Sequence, residues 1–389
     1  MKTIKLGTLI TISKGKKHTV SEVPSPQSVR MLGIDDLRNN TLIRMTDDQD
    51  GVLACENDVL IAWDGANAGT IGYGKREYIG STISRLRLHD TSKFYAPFIG
   101  IFLQSNFSYL RKTATGATIP HINRDALERI PVPVFVYDDQ IRIATLLSKV
   151  DNLIFRRREQ LKQLDELLKS VFLEMFGDPV RNEKGWDILP FHKVGHFVSG
   201  GTPSKKRADF WSGNFPWVSP KDMKVSKIND AVDHIAESVF EESTLKRISL
   251  NHLLIVVRGM ILLHSFPVAI NTVEIAINQD MKAIKPINRL NSAYLQYCII
   301  ASKRKILKLI TTAGHGTRKF DYSAMQKLYI PVPPIDRQNQ FADIVEMVEG
   351  IKSRYKQCLI ELEKLYGVFS QKAFKGELDL SIEHFLKEG

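Results

Sequence analysis

Asn214, Phe215, Pro216 and Trp217 come nearest to the Asn/Asp-Pro-Pro-aromatic tetrad with which amino-methyltransferases hold a target amino group, but only the second proline position fits. Gly69, Gly72 and Gly74 lack the G-x-G-x-x-G order of a cofactor-binding turn, and no G-x-x-x-x-G-K-S/T phosphate loop is present. Asp222, Met223 and Lys224 have the acid-x-lysine form of metal-dependent nucleases, in which carboxylates hold magnesium and a lysine assists the attacking water. A second carboxylate partner is not evident, so a turn is the better reading. His121, His192, His196 and His315 show no metal-ligand spacing. Cys55, Cys298 and Cys358 are far apart and odd in number, which argues against a disulfide framework and against a zinc site. The chain is therefore expected to have no catalytic residue, no metal and no cofactor, and not to be an enzyme.

Binding chemistry is better represented. The formal net charge of +11 makes a polyanion the first partner to consider, because neutralised phosphates release counterions. Lys14, Lys16 and Lys17 form one basic cluster, and Lys205, Lys206 and Arg207 form another after the Gly201-Thr202-Pro203 turn. Arg111 and Lys112 precede Gly116, while Arg318 and Lys319 follow Gly314 and Gly316, where a flexible backbone can approach phosphate. Charge runs also serve simply to solvate a surface. Base readout needs paired donors or acceptors, which Arg38, Asn67, Arg258 and Gln279 could present. The expected partner is double-stranded DNA.

The elements that must position these residues come in two copies. Asp138 through Phe176 aligns without a gap on Asp336 through Phe374 at a constant shift of 198. Identities include Asp138/Asp336, Gln140/Gln338, Ala144/Ala342, Val150/Val348, Leu161/Leu359, Leu164/Leu362 and Phe176/Phe374. Ile143, Leu147, Val150, Ile154, Leu161, Leu164, Leu168, Val171 and Met175 follow the three-and-four spacing of a coiled-coil seam. The same slots in the second copy hold Phe341, Val345, Val348, Lys352, Tyr355, Leu359, Leu362, Tyr366, Phe369 and Ala373. Each segment reads as a helix of roughly 58 Å, capped by Asp138 or Asp336, and needs a partner along its length. Leu147, Val150, Leu161, Leu164, Val345, Val348, Leu359 and Leu362 are expected to pair the two helices antiparallel. Arg156, Arg157 and Arg158 interrupt the first helix with charge.

The globular segments repeat more faintly. Asn57 to Gly65 resembles Asn251 to Gly259, a polar turn leading into a buried strand and then a glycine. Gly116 precedes Ile130-Pro131-Val132-Pro133 by the same interval that separates Gly316 from Ile330-Pro331-Val332-Pro333. Leu253 to Val257 and Met260 to Leu263 both read as buried strands. The expected organisation is a first recognition segment over 1–137, a helix over 138–178, a linker over 179–189, a second segment over 190–335, a helix over 336–376 and a tail over 377–389. The length of 389 residues and the 43% hydrophobic content suit several folded units. No apolar run reaches the roughly 18 residues of a membrane span, and Met1, Lys2, Thr3 do not open a secretory signal. A cytoplasmic protein with no membrane association is expected.

The series Phe172 to Pro179, then Gly185-Trp186, Ser199 to Ser204 and Phe215 to Val218 before Asp222, resembles the specificity subunits of type I restriction-modification systems. So do Ile330 to Pro334 with Gln338, and the closing Ala373 to Leu378; the resemblance covers essentially the whole chain. The first segment departs from it, with Lys14-Gly15-Lys16-Lys17 where a glycine-threonine-proline turn is usual. The resemblance implies an α+β fold: two mixed α/β target-recognition domains separated by two long antiparallel coiled-coil helices, a pseudo-twofold internal repeat. It also implies a non-catalytic, sequence-specific DNA-binding subunit that reads a bipartite site, one half per domain. Two methyltransferase subunits would dock on it, with restriction/translocase subunits joining through them, and those partners would hold the S-adenosylmethionine, ATP and magnesium. Two other classes compete. One is part of a single-chain restriction or modification enzyme, which the missing motifs disfavour. The other is a basic coiled-coil DNA-binding scaffold, which would not need two large globular segments.

Overall fold

The structure, a computed structural model, describes residues 2–37, 43–48, 50–116, 118–312 and 316–379. It has mixed α and β elements, with two long helices, Tyr137–Phe176 and Ile335–Lys375. Two compact units divide the chain: Met1–Arg158 with Gln357–Gly389, and Glu159–Lys356. Each unit therefore gathers one globular segment and one half of each long helix.

In the first unit, Ile10–Lys14, Ile83–Leu88, Asp58–Ala62 and Ile71–Tyr73 form a four-stranded antiparallel sheet in that order. The strand Asp58–Ala62 is buried at every position, which is why its apolar run does not alternate. A three-stranded sheet of Arg44–Thr46, Val29–Leu32 and Tyr78–Ile79 lies beside it in sequence, and Thr3–Lys5 pairs with Pro131–Pro133. The second unit repeats the plan. Its larger sheet runs Gly195–Ser199, Met281–Pro286, Leu253–Val256, Val268–Asn271 and Lys227–Ile228. Asp233–Ile235, Phe215–Val218 and Ala276–Ile277 form the smaller one, and Asp187–Pro190 pairs with Tyr329–Val332.

The helix halves run antiparallel within each unit. In the first, Ile143, Ala144 and Leu147 share a core with Ala373, and Arg158 bonds Glu363 at 2.6 Å. In the second, Phe172 and Phe176 pack on Phe341 with ring centroids 5.5 and 5.6 Å apart, and Lys352 reaches Asp165 at 2.7 Å. Leu147, Val150, Val345 and Val348 are buried, whereas Leu161, Leu164, Leu359 and Leu362 are half-buried.

A duplicated polar clamp ties each long helix to its globular segment. Gln140 is fully buried; its amide donates to the Lys93 and Phe135 carbonyls at 2.8 and 3.1 Å and accepts from the Tyr95 N–H at 3.0 Å. Gln338, also fully buried, donates to Arg289 and Pro333 at 2.9 and 2.8 Å and accepts from the Asn291 N–H at 2.9 Å. A buried amide needs all these partners, and a side chain with both donor and acceptor is the one that can supply them. The identity of Gln140 and Gln338 across the repeat thus has a structural cause.

Three local expectations are corrected. Asp138 and Asp336 are not caps: the helices begin at Tyr137 and Ile335, and the carboxylates lie inside the first turn, where the helix dipole favours them. Val171 and Met175 are only half-buried, while Phe172 and Phe176 carry the core, because the helix end turns its apolar face toward the domain aromatics Tyr294 and Tyr297. Met260–Leu263 is a 3-10 turn with only Leu262 buried, not a strand. Gly259, at φ 134°, takes the backbone out of strand geometry just before it.

Candidate nucleic-acid interface

The same backbone frame recurs at the ends of the two larger sheets. In the first unit the chain leaves Asp58–Ala62, and Ile122 N–H donates to the Trp63 carbonyl at 2.9 Å, so that Asp64 pairs antiparallel with His121. In the second it leaves Leu253–Val256, and Phe320 N–H donates to the Val257 carbonyl at 2.9 Å, so that Arg258 pairs antiparallel with Lys319. Gly65 and Gly259 follow the first partner of each pair, both at positive φ (96° and 134°). Gly116 and Gly316 open the opposing segments, again at positive φ (91° and 77°).

Different side chains occupy this shared frame. In the first unit, Asp64 accepts from His121 Nδ1 at 2.6 Å and from Lys14 Nζ at 2.8 Å. Burial pushes the Asp64 carboxyl upward, but the bonds from Lys14 and His121 outweigh it and hold the group below its ordinary value. The carboxylate is 16% exposed, whereas His121 and Lys14 are 48% and 54% exposed. Arg111 donates to the Ala66 carbonyl at 2.8 Å and so braces the loop that presents exposed Asn67. Lys112 ends the adjoining short helix, also exposed.

In the second unit, Arg258 is exposed and its side chain makes no hydrogen bond or ion pair among the described residues. Exposed Lys319 lies opposite it, and Arg318 donates to Thr312 at 2.7 Å within the hairpin of Thr311–Thr312 and Arg318–Lys319. Register places Ser199 where the first unit has Lys14, and Lys282 where it has Ser84; Lys282 Nζ bonds Ser199 at 2.9 Å. Gln279 accepts from the Thr202 hydroxyl and is exposed next to the Gly201-Thr202-Pro203 turn.

The other sequence-derived candidates lie around these two frames or apart from them. Lys16 bonds Asp50 at 2.8 Å, a fully solvated pair, and Lys17 is exposed. Lys205 and Lys206 are exposed in the turn after Ser204. Arg207 differs: it bonds Asp209 and Glu242 at 2.6 and 3.0 Å and stacks 4.2 Å over Phe210, and the two carboxylates raise its pKa further. Its guanidinium builds the loop. Arg38, Gly314 and His315 lie outside the described residues. Asp222 accepts from Ser219 N–H and Val232 N–H at 2.8 and 2.9 Å, which makes it the pin of a turn. His192 packs on Tyr322 at 5.3 Å, and no cluster of metal-ligating side chains occurs among the described residues.

Sequence reasoning missed Asp64 and Lys282. Their partners are 57 and 83 residues away, so no local motif exists. The usable signal was the pair of repeated glycines that bracket each frame.

No helix of the described residues is long and apolar enough to cross a membrane. The family model for the type I restriction modification DNA specificity domain matches twice, over residues 1–164 and 183–364. The chain is 32% identical over 197 residues to the type I restriction enzyme EcoR124I/EcoR124II specificity subunit of Escherichia coli, covering 49% of this chain and 48% of that one. It is 27% identical over 218 residues to the MjaVIII specificity subunit of Methanocaldococcus jannaschii, covering 51% and 49%. The matched stretch thus spans about half the length of each of these relatives. The fold is similar to that of the type I restriction-modification S subunit from M. genitalium, with TM-score 0.61 at 16% identity over 96% of both chains. A structure described as showing complex assembly and conformational transition of the type I R-M system is similar at TM-score 0.53 and 16% identity, over 97% of this chain and 98% of that one. The two matches to the family model, which together cover most of the chain and fall one on each repeated globular segment, place this chain in the type I restriction modification DNA specificity family.

Proposed function

We propose that this chain is the sequence-reading subunit of a type I restriction-modification complex, acting in the cytoplasm on double-stranded DNA. Residues 1–137 and 190–335 are the two target-recognition domains, each reading one half of a bipartite site. The helices 138–178 and 336–376, with the linker 179–189 and tail 377–389, carry the docking of two methyltransferase subunits, and restriction/translocase subunits join through these. Chemistry belongs to the partners; in this chain the most nuclease-like carboxylate, Asp222, is occupied by its own turn.

The observation that carries this reading is the duplicated frame. Two equivalent strand ends, with paired positive-φ glycines and exposed polar or cationic side chains, suit two separate readings of base edges better than one continuous surface does. The test is to reconstitute the chain with its methyltransferase partner and map modified bases by long-read sequencing. Methylation is expected at sites with two defined halves and an unread interval. Replacing residues 190–335 by the matching segment of another specificity subunit should change one half only. A single uninterrupted motif, or a swap that alters both halves, overturns the proposal.

A further inference from the structure

The two frames differ in hydrogen-bonding sense. Asp64 receives the His121 Nδ1 proton, since an ionised carboxylate can only accept. In the neutral ring Nε2 is then the acceptor, and it has no partner among the described residues. The Asp64 oxygens are largely covered and already engaged by Lys14 and His121, so the half-exposed imidazole is the group offered outward. At the two paired positions of its frame the second unit places donors, the Arg258 guanidinium and the Lys319 ammonium opposite it. The exchange of Lys14 and Ser84 for Ser199 and Lys282 carries the same distinction, because no carboxylate like Asp64 follows the strand there.

We propose that the two frames read opposite base edges: His121, positioned by Asp64 and reading in its neutral form, takes the amino donor of adenine or cytosine, and Arg258 takes the O6 and N7 acceptors of guanine. This rests on the DNA-reading function proposed above. In the major groove adenine N6 and cytosine N4 are donors, while guanine presents two acceptors spaced for a guanidinium fork. Gly259 follows Arg258 and Gly65 follows Asp64, the residue that positions His121, so the backbone beside each reading side chain carries no further side chain that would hold it away from a base edge. The half-sites should accordingly contain an adenine or cytosine in the half read by the first unit and a guanine in the half read by the second.

The experiment uses the reconstituted methyltransferase complex and needs no variant for its first arm. Competition binding is measured with duplexes in which each guanine of the site in turn is replaced by 7-deazaguanine, which lacks the N7 acceptor. Affinity should drop on the order of tenfold at one guanine of a single half-site. In the second arm, methylome mapping with Arg258→Gln should show that guanine requirement relaxed or shifted toward adenine, with the other half unchanged. His121→Ala should relax one adenine or cytosine position in the opposite half. No sensitive guanine in the first arm, or an Arg258→Gln complex that methylates an unchanged motif, overturns the assignment. A complex that binds all duplexes alike, whatever their sequence, would instead defeat the DNA-reading function itself, so the two failures are distinguishable.

Discussion

Two kinds of cation occupy the basic surfaces, and their partners separate them. Lys17, Lys205 and Lys206 are exposed, whereas Arg207 is held by Asp209, Glu242 and the Phe210 ring. Removing one cation that neutralises a DNA phosphate lowers the slope of log affinity against log salt by about 0.9. Lys17→Ala, Lys205→Ala and Lys206→Ala together should therefore flatten the slope of the assembled complex by about 2 to 3, without changing which sites are preferred. A salt titration checks this, and an unaltered slope would show that these lysines do not meet phosphate. Arg207→Ala should act differently, leaving the slope unchanged to well within the roughly 0.9 that one phosphate contact is worth and loosening the 204–211 loop, seen as faster amide exchange. Asp64 adds a pH dependence. Its folded pKa is depressed, so its contribution to stability is present above the ordinary carboxylate value and is lost as pH falls through the depressed one. Urea midpoints of the first unit between about pH 6 and 3 should decline less steeply for Asp64→Asn than for the parent chain.

At the level of the elements, the long helices were the most legible part of the sequence, because a gapless repeat and heptad spacing survive without knowledge of the fold. Phe172 and Phe176 were not legible, since their burial is decided by Tyr294 and Tyr297, more than a hundred residues away, together with Phe341 of the partner helix, and not by the seam spacing alone. The 3-10 turn Met260–Leu263 escaped for a related reason: its composition is strand-like, and only the positive φ of Gly259 decides against it. At the candidate interface, the basic clusters could be read from composition, but the coupling of Asp64 to His121 depends on a pairing between distant segments. Lys352 occupies a seam slot that is Ile154 in the first copy, and its side chain is only 7% exposed. Burial disfavours its charge, but Asp165 and Glu349 outweigh that and raise its pKa, which keeps it cationic in the seam. Lys352→Met should destabilise the second unit by about 2–3 kcal/mol, less than for a fully buried pair because Asp165 is half exposed. Adding Glu349→Gln should recover most of that, since no buried charge is then left without a partner; chemical denaturation of the four members of the cycle tests it. Gln338→Ala should cost about 2–4 kcal/mol by stranding the Arg289 and Pro333 carbonyls and the Asn291 N–H, with amide exchange rising first at the start of the helix Ser292–Ala301.

For the molecule as a whole, the division into units does not follow the order of the chain. Residues 159–356 form one unit from a single stretch, while the other unit needs both 1–158 and 357–389. Phe374 packs on Phe98 and Phe102 at 5.7 and 5.1 Å, and Ala373 is fully buried beside Leu147, so the last turns of the second helix complete the core of the first unit. A chain cut after Lys356 should keep amide protection over 159–356 and lose it over much of 1–158; equal loss in both would contradict the division. On the ribosome the same arrangement separates beginning from completion. The segment made first has to wait, with the faces of Phe98, Phe102 and Leu147 uncovered, while some two hundred further residues are synthesised, which at cellular elongation rates is a delay of roughly ten seconds or more. The segment made second has all its parts as soon as residue 356 emerges. The unit whose synthesis begins first is thus expected to be the last to mature, and any need for chaperone protection should fall on the N-terminal part of the chain.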